Sequence, residues 1–178
     1  MASTQSGRAR ARIGVPGSGT ASVTTGIPVL DHLLGLLARY GRLDLELEAA
    51  PGGAIVEAAA AGHALGEALA QALSDERAPG YGSGHAAADE ALAHVVLEAS
   101  GRPLVVSNVD LSAARVGGVG SDMIARFLDE LARAAGLTLH VRLIDGTETD
   151  HVVEAIFKAL GAALGRALPA TTPKETHG

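Results

Sequence analysis

One short pattern occurs twice in the chain. Residues 43–47 read Leu-Asp-Leu-Glu-Leu and residues 137–141 read Leu-Thr-Leu-His-Val, and each begins a strand-like stretch that an Ala/Leu-rich helical stretch follows. Laying one on the other pairs Leu43 with Leu137 and Leu45 with Leu139. The helical stretches ALGEALAQAL and ALGAALGRAL pair Leu65 with Leu160, Gly66 with Gly161, Leu69 with Leu164 and Leu73 with Leu168. A core pattern shared by a strand and a helix points to two copies of one half-domain, each burying the same faces.

The intervening segments agree. ARARIGV and GTASVTT alternate weakly and read as a strand pair across PGSG. In TTGIPVLDHLLGLLARYG the apolar residues Ile27, Leu30, Leu33, Leu34 and Leu37 keep a helical period. Pro28 suits a first turn and Gly41 a C-terminal cap. RLDLELEA is a half-buried strand, AIVEAAAAGHALGEALAQAL a helix and SDERAPGYGSG a loop. In the second half, ALAHVVLEA and PLVVSNVDL are strands flanking SGR. GSDMIARFLDELARAAG is a helix capped at Ser121, LTLHVRLIDG a strand, and 150–168 the last helix. Each half thus reads β-β-α-β-α. The expected fold is α/β (α+β): two fused half-domains, 13–85 and 86–168, with sheets packed against helices. A flexible arm over 1–12 and a polar tail over 169–178 flank them.

Composition narrows the function. A chain of 178 residues, 47% hydrophobic, builds a sizeable core, and with 2% aromatics that core is aliphatic. Base-stacking platforms are therefore not expected, and a net charge of −6 without a basic run argues against nucleic-acid binding. No apolar run reaches the roughly 18 residues of a membrane span. The first twelve residues hold no apolar signal region, and cysteine is absent. A cytoplasmic location is expected.

Chemistry concentrates in TETDHVVEAIFKALGAALGRAL, residues 147–168. Asp150, His151 and Glu154 fall on the first turn of an apolar helix. Residues three or four apart share a face, so Asp150 or His151 converges with Glu154. The equivalent positions of the first half are Ile55, Val56 and Ala59, none of which binds a metal. Glu57 stands two residues from Ala59, roughly 200° around the helix, and does not replace the missing carboxylate. His140 faces away from the apolar side of its strand, and His32 follows Asp31 between apolar positions. Imidazole with carboxylate suits Mn²⁺, Fe²⁺ or Zn²⁺. His63, His85, His94 and His177 lack such company and read as surface or structural residues.

The blocks TGIPVLDHLLGLLARYGRLDL, DEALAHVVLEASGRPLVV, AGLTLHVRLIDG and DHVVEAIFKALGAALGRAL together resemble the imidazoleglycerol-phosphate dehydratase family, over about residues 8 to 168. The resemblance implies two β-β-α-β-α halves, removal of water from imidazole glycerol phosphate in histidine biosynthesis, and two Mn²⁺ ions per site with ligands drawn from neighbouring subunits. It also implies a homo-oligomer, a trimer or a 24-subunit shell. Carried over position by position, the metal ligands are His32, His140, His151 and Glu154, with Asp150 where the family has His. Ile55, Val56 and Ala59 stand where the family has His, His and Glu. His32 and Glu154 are the candidate catalytic residues. Arg102 and Lys174 are the candidates for holding a small phosphorylated imidazole substrate. Gly80 replaces a family Arg, and Ala87-Ala88 replace Pro-Met. One Mn²⁺ ion or none is expected, two only for an intact site. Two functions follow: a dehydratase of reduced capacity, or an inactive or repurposed relative serving in assembly or binding.

Overall fold

The structure, a computed structural model, describes residues 2–6, 8–112 and 114–170. The first half comprises β1 (Ala2–Ser6), β2 (Ala9–Gly14), β3 (Ala21–Thr24), α1 (Pro28–Gly41), β4 (Asp44–Ala49) and α2 (Ala54–Leu73). The second comprises β5 (Tyr81–Ala88), β6 (Ala91–Glu98), β7 (Leu104–Ser107), a small hairpin of β8 (Arg115–Val116) and β9 (Val119–Gly120), α3 (Asp122–Ala135), β10 (Thr138–Asp145) and α4 (Thr149–Ala167). The β-β-α-β-α order is present in both halves, each preceded by one further strand.

The sheets repeat each other. Their orders are β1-β2-β4-β3 and β5-β6-β10-β7. In each, the last pairing is parallel and the others are antiparallel. Three expectations need correction. The segments either side of PGSG are not neighbours, because β4 lies between β2 and β3; the α1 crossover brings β4 back beside β3, parallel to it. The arm expected over 1–12 contains β1 and most of β2, paired in register from Ala2↔Ile13 to Ser6↔Ala9. Likewise the loop expected at 74–84 ends at Tyr81, where β5 begins.

Alternation decides which face of each sheet is dry. Ala9, Ala11 and Ile13 of β2 and Leu45 and Leu47 of β4 are buried, as are Val95 and Leu97 of β6 and Leu139 and Val141 of β10. The intervening residues of the first sheet, Arg10 with Glu48 and Arg12 with Glu46, form exposed cross-strand ion pairs of small energetic weight. Helix α2 packs on β1, β2 and β4 and against α3, while α4 packs on β5 and β6 and against α1. The halves therefore meet helix on helix, with a sheet outside each. Glycines set how close they come. A Cβ on Gly41 would lie 2.8 Å from the Gly161 carbonyl oxygen, and one on Gly66 the same distance from that of Leu131.

Two caps differ from expectation. Gly41 ends α1 as a helical residue, and Arg42 takes the left-handed conformation with φ 51°; Gly41 serves close packing. Ser121 precedes α3 but its hydroxyl does not cap it. Buried in the core, it donates to the carbonyls of Leu111 and Ala114, tying down the loop before the helix.

Candidate functional site

The first two turns of α1 and α4 hold the polar side chains of interest. Pro28 starts α1, its fixed φ suited to that position and its missing N–H not needed there. The Asp31 carboxylate accepts hydrogen bonds from the Thr25 amide at 2.9 Å and the Thr25 hydroxyl at 2.5 Å, which locks the entry to the helix. That fixes His32, the next residue. His32 Nε2 lies 3.1 Å from Glu154 Oε1 on α4, with both side chains partly open to solvent. The two candidate catalytic residues therefore meet, although 122 positions separate them.

His151 lies one turn before Glu154 and is engaged on both ring nitrogens. Nδ1 lies 2.6 Å from Glu90 Oε2, and Nε2 3.2 Å from Asp89 Oδ2. Asp89 and Glu90 form the tip of the β5–β6 hairpin, where Asp89 has φ 50°, a left-handed conformation that Asp tolerates. The other oxygen of Glu90 accepts the amides of Glu148 at 2.9 Å and Thr147 at 3.3 Å, so Glu90 caps α4 from outside the helix. The Glu148 amide, then the His151 ring, hold the Glu90 carboxyl down at about 2. The hydrogen bond to Glu90 raises the His151 imidazole above its ordinary value, with Asp89 and Glu154 adding to it and desolvation opposing it. The sequence does not mark Asp89 and Glu90 as site residues, because the strand that precedes them, β5, is not legible in it.

Asp150 is turned elsewhere, its Oδ1 accepting the Gly117 amide at 3.2 Å. His140 pairs across the strands with Val96 and Val106, on the sheet face away from the helices. Val96 lies six positions along the chain from Glu90, roughly 20 Å at about 3.3 Å per residue. Arg102 sits in the β6–β7 turn at that same far end, its carbonyl accepting the Thr138 hydroxyl. Within one chain, neither His140 nor Arg102 joins the α1–α4 cluster. Lys174, like His177, lies outside the described residues. Lys158, one turn past Glu154, donates to the Ala87 carbonyl and lies over the Tyr40 ring. A cavity of about 750 Å³ lined by Tyr81, His94, Val96, Glu98 and Arg166 includes none of the candidate ligands.

The first turn of α2 is different. Ile55 and Val56 are exposed, at 41% and 44%. Glu57 turns inward, buried, and its Oε1 accepts the Gly52 amide at 2.7 Å. It closes the end of its own helix. Of the remaining histidines, His63 bridges Glu67 and Glu130 where α2 meets α3, and His85 stacks on His94 across β5 and β6.

Each ring nitrogen of His151 faces a different carboxylate, Asp150 holds a backbone amide, and His140 is remote. Among the described residues no three His, Asp or Glu side chains gather to hold an ion. The donors of a single chain do not fit a dinuclear centre.

Fold and site define a twin-half α/β protein whose histidine–carboxylate face runs across the starts of α1 and α4 and has no counterpart at the start of α2. The model of the imidazoleglycerol-phosphate dehydratase family matches residues 25–164, and the chain belongs to that family. The imidazoleglycerol-phosphate dehydratase of Pelobacter propionicus is 40% identical over 166 residues, 90% of this chain and 84% of that one. The one from Clostridium botulinum (strain Kyoto) is 38% identical, over 89% of this chain and 83% of its own length. The crystal structure of the Staphylococcus aureus dehydratase superposes with a TM-score of 0.85 at 34% identity, covering 95% of this chain and 98% of that one. That from Pyrococcus furiosus, in complex with (S)-C348, gives 0.81 at 27% identity, covering 98% and 97%. Among the described residues no helix is long and apolar enough to cross a membrane.

Proposed function

We propose that this member of the family has lost the two-metal dehydration of imidazole glycerol phosphate and acts as an inactive or repurposed relative, in assembly or in binding. The observation that carries this reading is the first turn of α2. It presents exposed Ile55 and Val56, then Ala59, where the family resemblance calls for His, His and Glu. Removing a carbon-bound proton and expelling hydroxide both need charge stabilised at the reacting atoms. Loss of one well-placed donor costs about 3 to 4 kcal/mol of transition-state stabilisation, and each ~1.4 kcal/mol is a factor of ten in rate. Three absent ligands and the Gly80 replacement of an Arg therefore remove physiological turnover. Folding is untouched, because Ile, Val and Ala are compatible with a helix and Ala favours it.

The contact between His32 and Glu154 supports a second reading, a reduced dehydratase with one Mn²⁺ ion. The pair is placed to pass a proton between α1 and α4, and Arg102 remains for the phosphate if another copy of the chain brings it near. Complementation separates the two. The full chain, expressed in a histidine-requiring strain that lacks its dehydratase, is expected not to restore growth. Growth without histidine would overturn the first reading in favour of the second.

A further inference from the structure

We propose that Asp150 is a latch that holds the β8–β9 hairpin as a strap across the first turns of α1 and α4, in place of the cation-binding role its position suggests. The hairpin turns on Gly117 and Gly118, with φ of 53° and 79°, the positive values a two-residue turn of this kind requires. Val116 pairs with Val119 to close the ladder, which leaves the polar groups of the turn without strand partners. Side chains take them up. The Gly117 amide donates to Asp150 Oδ1 at 3.2 Å, and the Gly118 carbonyl accepts from the Arg115 guanidinium.

The same turn rests on α1. A Cβ on Gly117 would lie 2.6 Å from Val29 Cβ, so the turn approaches that helix as closely as glycine allows. Val116 is buried beneath it. One turn further along each helix, three residues past Val29 and four past Asp150, stand His32 and Glu154. The strap and the His32–Glu154 contact thus bridge the same two helices at successive turns. A carboxylate committed to the strap is withdrawn from His151 and Glu154. This assignment goes beyond the proposed function and does not need it: that reading concerns what α2 lacks, this one what Asp150 does.

Amide hydrogen exchange on the full chain at one pH tests it, with α3 as internal reference. Asp150→Ala is expected to speed exchange over 115–120 roughly three- to tenfold, the loosening that follows loss of one exposed hydrogen bond. It should leave α3 unchanged and shift the His32 ring resonances. Asp150→Asn keeps an accepting oxygen and should stay close to the parent. Gly117→Ala loosens the same segment from the Val29 side. Added Mn²⁺ alone should leave the parent's exchange over 115–120 unchanged. The proposal is overturned if Asp150→Ala leaves that segment as protected as before, or if Mn²⁺ loosens the strap in the parent but not in Asp150→Ala, which would make Asp150 a cation ligand.

Discussion

Helix α2 begins Ala54-Ile55-Val56-Glu57, and α4 begins Thr149-Asp150-His151-Val152. The two helices hold equivalent places, each following the last strand of its sheet and crossing a helix of the other half. Their starts are finished in different ways. Helix α2 is closed locally by Glu57, which is buried and bonded five residues back in the chain, with an apolar surface outside. Helix α4 is closed by Glu90, from a hairpin 58 residues away, and its outer surface carries Asp150, His151 and Glu154. What folding needs, the two halves share. At its start α4 carries the imidazole and carboxylates that α2 lacks.

If the halves share a scaffold, equivalent core residues should matter equally. Leu65 and Leu160 are both fully buried at matching positions. Leu65→Ala and Leu160→Ala are each expected to cost about 2 to 5 kcal/mol in denaturant unfolding. A large disparity between them would break the comparison.

Restoring the polar start of α2 should move the chemistry instead. The variant Ile55→His, Val56→His, Ala59→Glu with Asp150→His is expected to bind Mn²⁺ at least about tenfold tighter than the parent in calorimetric titration, since imidazoles and a carboxylate one turn apart converge on one ion. An unchanged affinity would mean that those four positions are not where the loss lies.

The caps sharpen the contrast on a smaller scale. Glu57→Ala is expected to destabilise by about 0.5 to 1.5 kcal/mol, the loss of one part-buried hydrogen bond at a helix start. Glu90→Gln should show a dependence on pH. Glu90 is depressed to about 2, so its contribution is present above the ordinary glutamate range and is lost as pH falls through about 2. His151 is raised, so its contribution is full below the ordinary histidine value and is lost as pH rises through the folded one. The gap in urea midpoint between parent and Glu90→Gln should therefore be widest between about pH 4.5 and 6.5 and narrow on either side. A gap independent of pH would contradict the pairing.

Much of this was legible because periodicity reports burial. Leu45 and Leu47 alternate, Leu30, Leu34 and Leu37 recur at helical spacing, and both patterns turned out buried. The strand β5 hid because its residues are small. Gly84, Ala86 and Ala88 face inward, and a Cβ on Gly84 would come within 2.5 Å of the Ala159 carbonyl oxygen. Glycine there reflects the nearness of α4, whereas a sequence reading takes it for a loop. At the site, His32 and Glu154 meet although they are distant in sequence, whereas the near neighbours His151 and Glu154 take different partners. The carboxylates of Asp89 and Glu90 were missed because nothing local to a hairpin tip says which helix it will cap. The alternation correctly turned His140 to the other face of its strand, but alternation holds no information about distance along the sheet.

The metal content of the purified full chain tests most directly the proposal that the α2 side of the molecule has lost its grip on a cation. After loading with Mn²⁺ and removal of the excess, elemental analysis is expected to find one ion per chain or none. Two ions per chain would contradict the account.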